Sequence, residues 1–520
     1  MEFALSKHLS FHARGDDAFV WHGLTGDVAQ MSRDVLALLL AFEAPADPMA
    51  VMRAPPAGLP PSLAEEFITT LRARRYLITA GVDETASLLI GIPYVPRGAV
   101  FLREERPDGT VAIRIWGRTG EIGLDPKTAA LFDRCNGERT LGQVLGDAGP
   151  QAILPLLRLA RADLAVLKIL AKAVSKGGLT LQPAAESTMP FPELPDVKAY
   201  VLGAAAPGAD PGDLRAYHQA HLDDADTQFD EKETTLSHLF REPHSSLKGR
   251  TFGAALAAGL LDRGALKAAA GRAARLFEVG GGLGFVGAAL KGALSTAAKD
   301  LRTAHLDLSP ALQRAQRGRG LPAVRGDARQ LPVRPGSIDL VVANEMAGDL
   351  GTAPDGANPE GVPRMVNTGA LQLVREAAAA LAPGGLLYVS EFGELTADPV
   401  RGDHLDHDEW SIRFVDLQDQ AKRCGLDAKV VSLPELLGLD GDALALTTTR
   451  ASFGALRGLF RAHGLQLTKR AWLRTEIEAL CQGKLDLKSV HGLLWAPLSE
   501  RTMGLSPRQF WALLATKPAA

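Results

Sequence analysis

The run Leu276-Phe277-Glu278-Val279-Gly280-Gly281-Gly282-Leu283-Gly284 constrains this chain more than any other. An apolar segment ends in an acid, glycines fall at alternate positions, and a small-residue helix begins at Phe285. That order reads as strand, tight turn and helix, with the backbone bared at the turn where a nucleotide-like ligand can come close. A glycine-rich turn alone is weak evidence, so the segments after it carry the argument.

Thr303-Ala304-His305-Leu306 reads as a second strand ending in Asp307, at the interval where such folds place a ribose-binding acid. A third segment closes on Gly326-Asp327-Ala328. A fourth, Ile338 to Ala343, ends at Asn344-Glu345, and a fifth, Gly385 to Ser390, ends at Glu391. Each apolar strand thus delivers a polar residue at its carboxyl end, where doubly wound sheets bind ligands.

This series resembles the class I S-adenosylmethionine-dependent methyltransferases, which implies an α/β fold with a Rossmann-like, seven-stranded sheet and S-adenosylmethionine as cofactor. By that resemblance Glu278, Gly280, Gly282 and Gly284 hold the methionine end and Asp307 the ribose hydroxyls. Asp327, with Ala328, takes the adenine amine, and Asn344 joins the cofactor set. A dinucleotide reading stays open, although NAD folds favour Gly-x-Gly-x-x-Gly and the third glycine here comes one position early.

The chain's 520 residues exceed one ordinary core. With 46% hydrophobic and 22% charged residues the composition is that of a globular protein. A balance of 57 basic against 60 acidic residues gives bulk charge no role in recruiting nucleic acid or membrane. Cys135, Cys424 and Cys481 lie far apart, offering neither a metal-type pair nor a disulfide framework. The amino terminus lacks a signal-type apolar core, and no segment reaches a bilayer-spanning length. The expectation is a cytoplasmic protein.

The first half looks different. Phe19 to His22 and Asp27 to Met31 read as a hairpin, Ser32 caps a helix through Leu40, and a Pro-rich loop leads to a helix with Leu63, Phe67 and Leu71. The order recurs: a hairpin of Val111 to Trp116 and Gly120 to Leu124, a helix opened by Asp125-Pro126, then Asn136 to Leu145 and an apolar helix from Ile153 to Leu170. Residues 1–88 and 95–180 resemble PqqD-like winged-helix modules that bind leader peptides. Packing or dimerisation modules explain the pattern too, and neither carries the Arg/Lys-rich helix of a DNA reader. Residues 181–213 read as a linker. The catalytic domain is expected over 214–475, opening with a helical lid whose His pairs are not read as metal ligands. Its last strand is placed at Leu467 to Leu473, and a helical extension over 476–520 packs on a neighbour or on a second subunit.

Methyl transfer requires an acceptor held against the methyl group with water removed. Candidates at the ends of strands four and five are Glu345, Asp349 and Glu391, with His407 as a base on the loop His404 to Glu409. That loop has no defined metal-ligand spacing, so no metal site is expected. Asn344-Glu345-Met346-Ala347-Gly348-Asp349-Leu350 is similar to the Asn-Glu-x-x-Asp-Ala signature of the MidA family, which includes a protein-arginine methyltransferase. The similarity spans residues 250 to 430 and departs where that family's aspartate-tyrosine is Glu391-Phe392 here. Paired carboxylates suit a guanidinium; Glu345 could equally contact the methionine amine or cap a helix. The preferred expectation is an enzyme methylating a peptide or protein side chain, an arginine-type nitrogen among the options. A small-molecule methyltransferase with packing-only modules is the main rival, and a non-enzymatic peptide-binding scaffold the third.

Overall fold

A computed structural model describes residues 2–519, apart from 171–234 and short stretches at 15–16, 24, 26, 57–58, 60, 85–87, 97–98, 116–120, 149–151, 161–165, 270, 299, 358–362, 405–406 and 449. The expected linker and the polar helical segment up to residue 234 lie outside the described residues. The chain divides into two compact units. One comprises Met1–Ala206, Thr448–Leu467 and Leu480–Leu494; the other comprises Pro207–Thr447, Thr468–Ala479 and Trp495–Ala520.

The first unit contains two modules of the same element order, each with its own core. In the first, Phe3–Leu5 pairs with Leu77–Thr79, enclosing a meander of Leu9–Arg14, Asp17–His22 and Asp27–Met31 and three helices. In the second, Ile92–Tyr94 pairs with Lys168–Leu170 around Phe101–Glu105, Val111–Ile115, Ile122–Leu124 and three helices. The caps repeat as well: Ser32 and Asp47 accept backbone N–H bonds at the first two helices of one module, Asp125 and Thr140 at those of the other. The expected duplication is therefore present as an internal repeat. The helix expected through Leu170 stops at Leu159, and Lys168–Leu170 is a strand. A helix was the natural reading of an apolar run, but pairing with Ile92–Tyr94 decides its last residues.

Among the described residues seven strands form the main path of the sheet of the second unit: β1 (Arg275–Val279), β2 (Arg302–Asp307), β3 (Ala323–Arg325), β4 (Ile338–Asn344), β5 (Leu381–Glu394), β6 (Asp427–Ser432) and β7 (Phe510–Thr516), in the spatial order 3-2-1-4-5-7-6, while the two-residue strand Ile412–Arg413 pairs with the end of β5 off this path. Strands β1 to β5 run parallel, while β7 lies antiparallel between β5 and β6. The last strand is thus not Leu467 to Leu473, and the carboxyl-terminal tail is not all helical. The uninterrupted apolar residues of Phe510–Thr516 lack alternation, which by itself suggests helix. A central strand covered on both faces shows no alternation either. The catalytic sheet consequently closes only with the final residues of the chain, so boundaries at 475 and 476 do not separate domains.

The helices that matter here are α1 (Phe252–Asp262), α2 (Phe285–Leu294), α3 (Pro310–Gly318), α4 (Thr368–Ala380) and α5 (Phe414–Arg423). Leu373, Val374 and Ala377 of α4 and Phe414, Leu417 and Ala421 of α5 bury one face, against Val341, Leu387, Val389 and Leu513. On the other face α2 comes so close that a Cβ at Gly287 would lie 2.6 Å from His305 Cε1. The strand order reverses between β1 and β4, which opens a crevice at their carboxyl ends. No described helix is long and apolar enough to cross a membrane.

Candidate functional site

Three glycines of the turn adopt left-handed backbone, Gly280 at φ 68°, Gly282 at 51° and Gly284 at 82°. Side chains would differ in what they meet. At Gly280 a Cβ would press on Met346 Cγ at 2.7 Å, and at Gly284 on Leu321 Cδ1 at 3.0 Å, whereas at Gly282 it would meet no protein atom within 4 Å. Gly282 is the position whose bared backbone faces open space.

Glu278 does not reach toward that space. Its carboxylate is 1% exposed and bonds to His305 Nδ1 at 2.6 Å, its register partner on β2. The acid expected to hold the methionine end instead forms part of the floor under the turn. Asp307, at the end of β2, accepts from the Ser309 backbone N–H at 2.9 Å and from Gln316 Nε2 at 3.1 Å. Ser309 also caps α3, with Pro310 at its first position. Asp327 lies two residues beyond β3, its carboxylate held by both Nε (3.1 Å) and Nη2 (3.0 Å) of Arg329, with Ala328 buried beside it.

On the acceptor side, Asn344 Oδ1 accepts from Tyr388 and Ser390 hydroxyls, both at 2.9 Å. Glu345 takes a left-handed conformation at φ 49°. Its carboxylate accepts from the Leu236 N–H at 2.6 Å, the Ser237 N–H at 2.9 Å and Asn344 Nδ2 at 3.0 Å. Those backbone donors open the short helix Leu236–Leu239, whose own cap residue Thr235 makes no side-chain cap bond. The expected catalytic carboxylate is therefore a tether for the segment preceding α1. The distance along the chain between residues 236 and 345 hid this role from the sequence.

Glu391 is 4% exposed and accepts from the Gly348 and Phe392 N–H groups at 3.2 and 3.0 Å. Burial, reinforced by the charges of Glu409 and Asp349, holds its proton well above the usual carboxyl range. Glu391, Asp349 and Glu409 are thus brought together, and Glu345 is not one of that group. His407 lies in the hairpin Arg401–His404 with His407–Trp410, opposite His404; its side chain and Asp406 lie outside the described residues. No metal-binding group occurs among the described residues. His305 and Gln316 join the site only in the folded chain. His305 shares its strand face with Thr303 and Asp307, and Gln316 its helix face with Gln313, so no break in an apolar pattern marked either of them.

Residues 277–389 match the family model of the methyltransferase domain. The second unit carries a methyltransferase domain. No curated protein matches the chain. Among solved structures, the chain is similar to a protein from Burkholderia thailandensis bound to S-adenosyl-homocysteine, at 15% identity, 55% and 79% coverage of this chain and that one, and TM-score 0.31. An amino pentose methyltransferase from Micromonospora echinaspora, bound to S-adenosylmethionine, is 19% identical over 36% and 88%, with TM-score 0.26. A TehB-like methyltransferase from Corynebacterium glutamicum is 18% identical over 34% and 76%, with TM-score 0.23.

The methyl donor of this domain is S-adenosylmethionine, and the geometry fits it: an open face at Gly282, a buried acid beside it, and a sheet crevice alongside. Burial pushes the Asp307 carboxyl up to about 7, with the Glu278 charge adding to it and the Ser309, Gln316 and Gly282 bonds opposing it. The raised value means Asp307 favours the ligand-free fold when protonated, a contribution present at low pH and lost as pH rises through about 7. If Asp307 takes the ribose hydroxyls, as the sequence leads one to expect, the charged form is stabilised and ligand binding releases that proton. Affinity for S-adenosylhomocysteine should therefore rise with pH, by up to about tenfold per unit between roughly pH 5 and 7, and Asp307→Asn should flatten that profile. Calorimetry across this range decides it; a flat wild-type profile removes Asp307 from the ribose site.

Proposed function

We propose that this protein is an S-adenosylmethionine-dependent methyltransferase of peptide or protein side chains, with a basic nitrogen as acceptor and the repeated modules as the peptide-recognising part. One observation carries the peptide reading. In the second module the free edge of Phe101–Glu105 is extended by an added strand, Val490–His491, which pairs with Phe101 and Leu102. The His491 ring stacks on Phe101 at 4.6 Å. The module architecture thus accepts a short extended segment at this edge, the geometry by which sheets bind peptides. The corresponding edge of the first module, Leu9–Arg14, pairs among the described residues only with Asp17–His22.

The acceptor chemistry follows from the carboxylates at the end of β5. Bound S-adenosylmethionine supplies an electrophilic methyl group. The chain's own task is to hold a nucleophilic nitrogen in line with it and to exclude water. Glu391, near Asp349 and Glu409, favours a cation. An ammonium or guanidinium seated there stabilises the ionised form of Glu391, which then receives hydrogen bonds from the acceptor and orients it. Tyr388 and Ser390 keep Asn344 rigid beside this place.

A panel of arginine- and lysine-containing peptides, incubated with enzyme and labelled methyl donor and read by mass spectrometry, tests the reading. Peptides should be methylated at the basic nitrogen. Phe11→Pro, which removes an N–H from the Leu9–Arg14 edge, should abolish peptide methylation and leave S-adenosylhomocysteine affinity unchanged. Free amines turning over as fast as peptides, with Phe11→Pro inert, would make the modules packing elements. Deleting residues 1–180 is unsuitable, because Val490–His491 would lose its partner strand.

A further inference from the structure

We propose that Gln316 is a positioning residue for cofactor binding, its amide tying the glycine turn to the ribose acid. Gln316 sits in the last turn of α3 and is 0% exposed. Its Nε2 donates to the Gly282 carbonyl at 2.9 Å and to Asp307 Oδ2 at 3.1 Å. Neither acceptor can donate in return while Asp307 is ionised, so the amide has one workable orientation, nitrogen toward both. Its Oε1 is buried with no hydrogen-bond partner. A buried acceptor left unsatisfied is costly, and reversing the amide would face its oxygen against two others.

The turn also rests on this side chain directly. A Cβ at Gly281 would lie 3.2 Å from Gln316 Nε2 and 2.8 Å from Glu278 Oε2, and one at Gly284 would lie 3.3 Å from Gln316 Cα. Arg319, one turn from Gln316, donates to the Leu283 carbonyl at 2.8 Å and stacks over Phe285 at 3.8 Å. The end of α3 thereby grips the turn from both sides. Gly282 and Asp307 belong to different strand–helix connections, and Gln316 is the side chain bonded to both. It fixes their spacing before a ligand arrives, which removes an ordering cost from binding.

This inference rests on the S-adenosylmethionine reading of the site, and the test separates the two. The full chain is titrated with S-adenosylhomocysteine by calorimetry from pH 5 to 8, alongside Gln316→Met and Gln316→Glu, with ligand-free melting recorded for each. Gln316→Met should weaken binding about 10–100-fold, the scale of a lost hydrogen bond to a charged group. It should also shift the pH midpoint of affinity upward, because ionised Asp307 loses a donor; Glu278, paired with His305, is the other charge facing Asp307. Gln316→Glu keeps the shape and sets a second carboxylate against Asp307, so its loss at pH 8 should be larger. A wild-type chain that does not bind the ligand overturns the cofactor reading and this inference with it. Wild-type binding with both variants within about threefold, at an unchanged midpoint, overturns the inference alone, whatever their melting temperatures. If Gln316→Met fails to fold, the isosteric Gln316→Glu decides.

Discussion

Gly282→Val should abolish S-adenosylhomocysteine binding in a chain that remains folded. The turn's glycines differ in what surrounds them. A side chain at Gly280 collides with Met346, and one at Gly287 collides with Glu278 and His305, so losses there would mix misfolding with lost binding. At Gly282 a Cβ meets no protein atom within 4 Å, and the branched side chain enters only the space a ligand would take. The substitution still carries backbone strain, because Gly282 has φ 51° and a β-branched residue in the left-handed region costs about 1–2 kcal/mol. Melting should therefore fall by several degrees and remain cooperative. Ligand that raises the wild-type melting temperature should leave that of the variant unmoved. Unchanged affinity in a folded Gly282→Val would remove the glycine turn from the cofactor site.

The second large effect separates two acids that the sequence placed in one role. Glu391→Gln should lower turnover by roughly 10²–10⁴-fold, the usual scale for losing charge-positioning or proton-transfer help, with cofactor affinity little changed. Its amide oxygen can still accept from Gly348 or Phe392, and because burial already favours the protonated Glu391 carboxyl the neutral amide disturbs the local backbone little. Glu345→Gln should act the other way. The described donors, the Leu236 and Ser237 N–H groups and Asn344 Nδ2, point at the Glu345 carboxylate, and an amide nitrogen in place of one oxygen faces an N–H instead of accepting from it. The segment Leu236–Leu239 then loses its tether over the crevice, cofactor affinity falls, and turnover at saturating cofactor stays near wild type. Separate measurement of kcat and of S-adenosylhomocysteine Kd for both variants checks this. A collapse of kcat in Glu345→Gln with unchanged Kd would return Glu345 to the acceptor site and displace Glu391 from it.

The strand–turn–helix at Gly280–Gly284, the acids closing the strands that follow, and the helix starts at Ser32 and Asp125 were legible in the residues alone. These are local matters. A positive φ demands glycine within a few residues of a strand end, and an N-cap acts on the two or three amides after it. The internal repeat was legible for the same reason, since turn and cap signals recur in order. Tertiary structure alone decided which side each polar residue serves. Glu278 pairs with His305 because two strands lie in register, and Glu345 meets Leu236 and Ser237 because β4 ends beneath a segment more than a hundred residues earlier in the chain. Phe510–Thr516 reads locally as apolar chain and nothing more. It is a strand because β5 and β6 present unpaired edges on either side of it, and burying those backbone groups requires the hydrogen bonds that only a strand can return.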